Sequence, residues 1–372
     1  MKLVGTRPPC RLGSHRVLEP AGALPQNAWR LDARPIVFAN EILCDVDALN
    51  IDSASFRQIA AACDGDASRV ADYVLAVVNE RGKQHNSTTG SGGMFVGRVR
   101  EIGEALHSRS DLRIGSRIAS LCSLTITPLR IDEVLRVEME TGRLWIRGSA
   151  ILFESCLYAA LPDDIPDEIA LAVLDVAGAP AQVRRLAKTG QSVVVLGADG
   201  KSGMLAVAQA RERTGASGKV VGVAPDAATP GARLLVEHGY LDAFVAADAR
   251  DALALVGAVS AVVPELADLT VNCVNVAGTE PASILSTKDE GTVYFFSMST
   301  SFTAAALGAE GMGKDVTMIV GNGYAKGHAD IALQTLRNHP PIHRYFVEKY
   351  GLKSPSAGNF SLGQGARSEV CD

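Results

Sequence analysis

Gly197, Gly200 and Gly203 stand three residues apart, directly after the apolar run Ser192-Val-Val-Val-Leu196 and just before a helix-forming stretch, Met204 to Arg213. Strand, glycine turn and helix in that order form the context of a dinucleotide site. The first glycine permits the tight turn. The second lets backbone N–H groups approach a pyrophosphate with no Cβ between them, and the third lets the helix pack close to the strand. The helix N-terminus then turns its positive end toward the phosphates. The chemistry is diphosphate binding by Gly197, Ala198, Asp199, Gly200, Lys201, Ser202 and Gly203, and so points to a nicotinamide coenzyme. Asp226 follows 23 residues after Gly203, just past the next β-rich run, Val220-Val-Gly-Val. An acid there accepts the adenine ribose hydroxyls and repels a 2′-phosphate. No Arg or Lys lies between Ala224 and Gly231 to receive that phosphate. The expectation is NAD, with NADP as the alternative.

Other polar residues interrupt apolar surroundings. Glu154 sits within Ile151-Leu-Phe-Glu-Ser-Cys-Leu-Tyr158 and Asp175 within Leu171-Ala-Val-Leu-Asp-Val-Ala177. A carboxylate in a half-buried element is costly unless it is paired, hydrogen-bonded or protonated. Each therefore either reaches solvent or a structural partner, or takes up a cation or proton. Lys83 and His85 flank Gln84 ahead of Asn86-Ser-Thr-Thr-Gly90. A lysine is usually a solvated charge, but with a lowered pKa it activates water or grips a carboxylate. Asn50, Asp52 and Ser53 end a strand, where Asp52 or Ser53 also suits the N-cap of the following helix. Asn275, Ser297 and Met298 follow the fourth and fifth β-rich runs of the second half, and strand carboxyl ends line the crevice of an open α/β sheet. Gly321-Asn-Gly323 bends the chain after the sixth run and leaves Tyr324 placed to close a pocket.

The elements that must position these residues fall into two styles. At 372 residues the chain is too long for one ordinary core. In the second half, Val193–Leu196, Val220–Val223, Ala243–Val245, Leu269–Val274, Thr292–Ser297 and Val316–Val320 read as continuous apolar strands. Between them lie helical stretches, Met204–Thr214, Gly231–His238, Asp251–Val262, Glu280–Ser286 and Ala304–Gly308. This α/β rhythm predicts a doubly wound parallel sheet covered on both faces. The first half predicts strands at Val17, Ile36–Phe38, Glu41–Val46, Gly97–Ile102, Arg117–Leu121, Leu144–Arg147 and Ile151–Tyr158, with helices near Ser53–Ala62 and Ala67–Arg81. The junction is expected near Leu161-Pro-Asp-Asp-Ile-Pro166, where two prolines bracket two acids. The domains are then a β-rich unit over 1–165, a dinucleotide-binding unit over 166–320, and a return segment over 321–372. That segment holds a helix at Ala329–Arg337, a stop at Pro340-Pro341, and a Ser/Gly-rich tail from Lys353 that reads as mobile.

Composition sets bounds. Hydrophobic residues are 47% and charged residues 21%, the balance of a globular protein. A net charge of −5 argues against nucleic acid or an anionic membrane as the main partner. No apolar run reaches the ~18 residues of a membrane span, and the N-terminal basic residues precede no apolar signal region. The seven cysteines include no Cys-x-x-Cys pair, which predicts reduced thiols and a cytoplasmic setting. The seven histidines show no metal-ligand spacing, so no metal is expected.

The order of these features resembles the medium-chain dehydrogenase/reductase superfamily. The resemblance rests on Gly97-Arg-Val-Arg-Glu-Ile-Gly103 with Leu112-Arg-Ile-Gly115, on the 161–168 junction, and on the 197–203 turn, which is similar to that of the zinc-free reductase branch. It implies a GroES-like β-rich catalytic domain, then a Rossmann domain, then a return to the catalytic domain. Longer strings carry a closer resemblance: Leu49-Asn-Ile-Asp-Ser-Ala-Ser-Phe56, Thr89-Gly-Ser-Gly-Gly-Met94, Ala150-Ile-Leu-Phe-Glu-Ser155, Leu174-Asp-Val-Ala-Gly-Ala-Pro180 and Gly321-Asn-Gly-Tyr324. These resemble the L-erythro-3,5-diaminohexanoate dehydrogenases, a family of oxidative deaminases of lysine fermentation.

That resemblance implies NAD(P)-dependent oxidation of the C3 amine of a diamino acid to a ketone, with release of ammonium. It implies a base among Asp52 and Glu154, an ammonium partner in Asp175 or the other acid, and Lys83 as partner to the substrate carboxylate or to water. Asn50, Ser53 and Tyr324 would border the substrate. Zinc-dependent members carry a histidine in Gly-His-Glu-x-x-Gly. The matching place near Gly92-Gly93-Met94 has none, and Leu49-Asn50 occupies the cysteine-ligand slot. Superfamily members are often dimers or tetramers, which sets that expectation here. The alternative readings are a zinc-free quinone or enone reductase and a non-catalytic NAD-binding sensor.

Overall fold

The computed structural model describes residues 10–86, 90, 92–108, 112–321 and 323–351, with only the main chain of 53 and 54. The tail from Lys353, together with Ser87, Thr88, Thr89, Ser91 and Asn322, lies outside the described residues.

The first half forms a short ribbon, β1 (Val17–Glu19) with β2 (Arg30–Leu31), and an antiparallel sheet. That sheet contains β3 (Glu41–Asn50), β4 (Met94–Ile102), β5 (Arg117–Ser120), β6 (Leu129–Glu138), β7 (Arg143–Phe153) and β8 (Tyr158–Ala160), in the order β6-β7-β3-β4-β5-β8. Two helices, α1 (Ser53–Ala62) and α2 (Ala67–Arg81), connect β3 to β4. Val70, Val74 and Val78 bury one stripe of α2 at helical spacing.

The second half opens with α3 (Asp167–Leu174) and α4 (Gly178–Leu186), then alternates. β9 (Ser192–Leu196), α5 (Lys201–Thr214), β10 (Lys219–Ala224), α6 (Pro230–Glu237) and β11 (Ala243–Ala246) build one side of the sheet. After α7 (Ala252–Val262), the other side is β12 (Ala267–Asn272), α8 (Glu280–Leu285), β13 (Thr287–Phe295), α9 (Phe302–Met312) and β14 (Val316–Val320). All pairs are parallel, in the order β11-β10-β9-β12-β13-β14. The expected doubly wound sheet is present, and the order in which strands are added reverses between β9 and β12, the switch point where such sheets hold ligands. β9 explains the unbroken apolar runs: Val193 and Val195 enter one core and Val194 and Leu196 the other. The chain ends with α10 (His328–Asn338) and α11 (Pro340–Tyr350).

Four expectations change. Ile36–Phe38 is not a strand, and the Ile36 carbonyl serves a buried guanidinium instead. Arg16 donates to the carbonyls of Asp32 (3.2 Å), Arg34 (3.1 Å) and Ile36. The expected strand Ile151–Tyr158 splits: β7 runs unbroken from Arg143 to Phe153, turns at Glu154-Ser155, and resumes as β8. β6 went unread because Arg130, Asp132, Glu133 and Arg136 break its apolar signal. Pro340-Pro341 starts α11 rather than stopping α10, since the first helical turn needs no N–H from either residue. In the 321–372 segment, α10 packs on α3, α4 and α5, and α11 on α3 and α6.

The N-terminal segment is fastened to the β-rich sheet by one buried ion pair. Arg16 Nε and Nη2 donate to the two oxygens of Glu41 at 2.8 and 2.6 Å. His15 Nδ1 accepts from Cys10 N–H at 3.0 Å, so its Nε2 carries the proton donated to Glu41 at 2.7 Å. Burial raises the Glu41 carboxyl, but the hydrogen bonds from Arg16 and His15 outweigh it and hold it below its ordinary value. Removing one partner strands a buried charge. Arg16→Met is therefore expected to cost about 3–5 kcal/mol in denaturant titrations. Val17→Ala, one residue along, is expected to cost well under that range.

Candidate active site

The cleft is built around the turn after β9. Gly197 has a φ of 74°, open to glycine at little cost, and its N–H donates to Val223 at 2.8 Å. A Cβ on Gly203 would lie 2.0 Å from the Gly197 carbonyl, so only glycine lets α5 start this close to β9. Gly200 N-caps α5 with no side-chain cap, which leaves the first N–H groups of the helix directed at the crevice. This is the cradle a diphosphate needs, and the residues present fit it. Not every member of the heptapeptide contributes. The Ala198 N–H also goes to Val223, and the Asp199 carboxylate accepts from Thr229 Oγ1 at 3.0 Å. Gly200, Lys201 and Ser202 face the cleft.

Loops after the neighbouring strands are stitched in place. Asn272, fully buried, donates to Thr279 Oγ1 (2.8 Å) and Ser283 Oγ (2.9 Å) and accepts from Val274 N–H (2.9 Å), which fixes the chain leaving β12. Ser299 bridges the next two loops, donating through Oγ to Asn275 Oδ1 (2.8 Å) and through N–H to Ser297 Oγ (3.1 Å). Asn275, Ser297 and Met298 thereby line the cleft. The β-rich domain supplies the facing wall with Asp52, Gly93, Met94 and Leu121 to Ser123. The end of α3 adds Asp175, and the α10 approach adds Tyr324 and His328. The cleft has a volume of about 620 Å³, the size of a small-molecule site. A smaller cavity of about 180 Å³ lies beyond Gly197, between Val223 to Pro225 and Asp248 to Arg250. Asp226 borders it in sequence, exposed, with Oδ1 accepting from Ala228 N–H at 2.7 Å.

The charged groups in the cleft differ in their freedom. Asp175 accepts from Lys201 Nζ at 2.5 Å, so that carboxylate already holds a cation. Asp52 caps α1 by accepting from Ser55 N–H at 2.9 Å through Oδ1, while its Oδ2 is buried without a hydrogen-bond partner. His328 is buried at the first turn of α10, its ring edge-on to Tyr324 at 5.2 Å. Burial holds its imidazole below its ordinary pKa, against the opposing charge of Asp330. Among the described residues no group of three or more His, Cys, Asp and Glu side chains is placed to hold a metal ion.

Glu154, Asn50 and Lys83, candidates from the sequence, fall outside the cleft lining. Glu154 is exposed on the β7–β8 turn, outside the cleft lining, because the strand that would have half-buried it ends at Phe153. Asn50 ends β3 with its carbonyl against Gly93 and does not line the cleft. Ser53 opens α1, and its side chain lies outside the described residues. Lys83 is fully buried. Gly82 ends α2 at a φ of 64° and turns the chain inward, and Lys83 Nζ donates to the Pro25 carbonyl at 2.8 Å. Burial lowers its pKa to about 8, with Arg81 adding to the effect. His328 and Ser123 were not found by reading the sequence. An isolated histidine after Gly327 carries no spacing signal, and neither residue neighbours the glycine turn in the chain.

Comparison with known proteins gives a consistent result. The L-erythro-3,5-diaminohexanoate dehydrogenase N-terminal domain family matches residues 15–162. The L-erythro-3,5-diaminohexanoate dehydrogenase of Acetoanaerobium sticklandii is 50% identical over 342 residues, covering 92% of this chain and 99% of that protein. The enzyme of the same name from Fusobacterium nucleatum subsp. nucleatum matches at the same identity and coverage. Among solved structures, mycobacterial Rv1454c complexed with NADPH superposes with a TM-score of 0.50 at 16% identity, covering 85% of this chain and 83% of that one. AibC superposes with the same TM-score at 15% identity, covering 82% of each chain. At these identities the two structures speak for the fold alone.

The buried Lys83 makes a prediction independent of catalysis. Its folded pKa of about 8 lies below the ordinary 10.5, so between those values the unfolded chain binds more protons than the folded one. Its contribution to stability is complete above 10.5 and is lost as pH falls through 8. The Lys83→Met variant is expected to be as stable as the parent or more so at pH 7. It should also lack the parent's gain across that window, read from denaturation midpoints.

Proposed function

This chain belongs to the L-erythro-3,5-diaminohexanoate dehydrogenase family, and from that premise we propose how its cleft acts. The reaction is the nicotinamide-dependent oxidative deamination of L-erythro-3,5-diaminohexanoate to 5-amino-3-oxohexanoate and ammonium, a step that fits lysine fermentation. The observation that carries the reading is the glycine cradle of α5 opening onto a cleft that also holds a buried carboxylate oxygen without a partner. Gly200, Lys201 and Ser202 would hold the coenzyme's diphosphate, and a nicotinamide coenzyme bound there would supply the hydride acceptor for C3.

Hydride can leave C3 only after its ammonium has lost a proton. His328 is our choice for that base. An imidazole held neutral at pH 7 is better matched to the task than a carboxylate, whose ordinary pKa lies far below the working range. Asp52 Oδ2 takes a substrate ammonium, since a buried, unpartnered carboxylate oxygen gains most from a charged donor. Asp175, assigned by sequence to the ammonium, instead neutralises Lys201 at the first turn of α5, beside the diphosphate position. Tyr324 closes the outer side. Lys83 stands within the wall and holds the 25–28 loop. The course is metal-free in this proposal, supported by the missing histidine near Gly92-Gly93-Met94.

NAD is the proposed coenzyme over NADP. Pro225 lines the 180 Å³ cavity with the exposed Asp226 next to it in the chain, and Arg250 there is already paired with Asp248. The protein is proposed to work in the cytoplasm as a homodimer. β14 is an open edge strand with Val320 exposed, and Phe302 and Leu307 of α9 beside it are 71% and 63% exposed.

Reduction of NAD in the presence of L-erythro-3,5-diaminohexanoate is expected, with no turnover of quinones and a kcat/KM for NADP below that for NAD. Coenzyme binding without amine-dependent reduction would identify a sensor instead. His328→Gln should lower kcat by about 10²–10⁴-fold. In the parent, kcat/KM should fall as pH drops through the lowered His328 pKa, below 6.5, and that limb should vanish in the variant. Asp52→Asn keeps the α1 cap, so its loss should appear in KM for the diamino acid with the melting temperature unchanged. Phe302→Glu with Leu307→Glu should shift sedimentation from dimer to monomer.

A further inference from the structure

Two cysteines outside the proposed chemistry face each other across the β5–β8 ladder. Ile118 lies opposite Ala160 and Ser120 opposite Tyr158, and Leu121 N–H donates to the Leu157 carbonyl at 2.9 Å. The same register continued by one position sets Cys122 opposite Cys156. Since the 121/157 pair carries the hydrogen bond, 122/156 is a non-hydrogen-bonded pair. Such pairs hold their Cα atoms about 4.5 Å apart with side chains on one face. That separation lies within the span of about 4.4–6.8 Å that a disulfide bridges. The two thiols are already hydrogen-bonded to one another, and both are free. Cys44 is fully buried on β3, with β4 between it and β5.

Their surroundings divide the roles. Cys122 is half-buried and belongs to the cleft wall, whereas Cys156 is buried behind it. The hydrogen bond from Cys156 holds the Cys122 thiol below its ordinary value, while the same contact and burial raise Cys156. The more thiolate-like sulfur, which is the nucleophile in thiol chemistry, therefore sits nearer the opening.

We propose that Cys122 and Cys156 are a modification site, a dithiol in the cleft wall that a peroxide entering through the coenzyme cleft oxidises to an intramolecular disulfide. Cys122 sulfur attacks one peroxide oxygen, the O–O bond breaks, and water leaves as the sulfenic acid forms. Cys156 sulfur then attacks the Cys122 sulfur, displacing the hydroxyl as a second water. In sum, two thiols and one hydrogen peroxide give one disulfide and two waters. The entry route rests on the coenzyme reading above; the pairing does not.

The test exposes the full chain to hydrogen peroxide, alkylates the remaining thiols and maps peptides by mass. The expected result is one linked pair, Cys122 with Cys156, lost on treatment with dithiothreitol. In Cys156→Ser, Cys122 should accumulate as a sulfenic acid that dimedone traps, with no disulfide. NAD at ten times its dissociation constant should slow the parent reaction about tenfold, the factor by which the open cleft is depleted. Both cysteines remaining alkylatable, or Cys122 linked to Cys44, overturns the pairing. NAD that binds by titration yet gives no protection overturns the entry route. A disulfide that forms in protein unable to bind NAD supports the pairing while rejecting the coenzyme reading.

Discussion

The close approach of α5 to the turn after β9 is the constraint on which the site depends. Gly203 lies where any side-chain carbon would sit 2.0 Å from the Gly197 carbonyl. This contact sets the distance between helix and strand, and with it the direction in which the uncapped amides of α5 point. β9 is the strand from which the sheet is wound in both directions, so its carboxyl end opens at the switch point. The loops after β12 and β13 are held against that opening by Asn272 and by the Ser299 bridge. The backbone contact thus sets the opening of the cleft, and the Asn272 and Ser299 hydrogen bonds set its floor.

The facing wall has a different origin. The β-rich sheet is completed and fastened by the Arg16–Glu41 pair, which joins the N-terminal segment to the first residue of β3. β3 ends at Asn50, and the chain then presents Asp52 at the N-cap of α1, facing the Rossmann half. The remaining side comes from α3 and from the approach to α10, both belonging to the second half. The cleft therefore lies between the two halves, and Asp52, Asp175 and His328 come to it from chain segments more than 100 residues apart. Within it, Asp175 and Lys201 neutralise one another, Asp52 keeps one oxygen unsatisfied, and His328 is held neutral by burial. In the proposed reaction, such a site would receive a cationic substrate on Asp52 and its base would be His328.

The Lys83 and Glu154 results show how the two kinds of candidate part company. Both drew attention as charges in unpromising places. Glu154 is harmless because a turn at 154–155 releases it to solvent. Lys83 is buried because an αL glycine turns it inward, onto a main-chain carbonyl. Neither outcome could be read from local polarity, since each depends on where a neighbouring element stops.

The sequence by itself determined the doubly wound sheet, the glycine cradle and the family. Those depend on local rules: apolar runs buried on both faces, a φ that favours glycine, and a close contact between residues six apart. It also determined that Asn275, Ser297 and Met298 would border the crevice, because strand carboxyl ends do so in this topology. It misread Ile36–Phe38, where an arginine about twenty residues away claims the Ile36 carbonyl, and Pro340-Pro341, which starts a helix. Only the tertiary structure decided which polar residue does what. It paired Asp175 with Lys201, left Asp52 half satisfied, and brought His328 to the cleft from far along the chain. The physical reason is that the charge state and reach of a side chain are set by what packs against it, and those neighbours come from segments with no sequence relation to it.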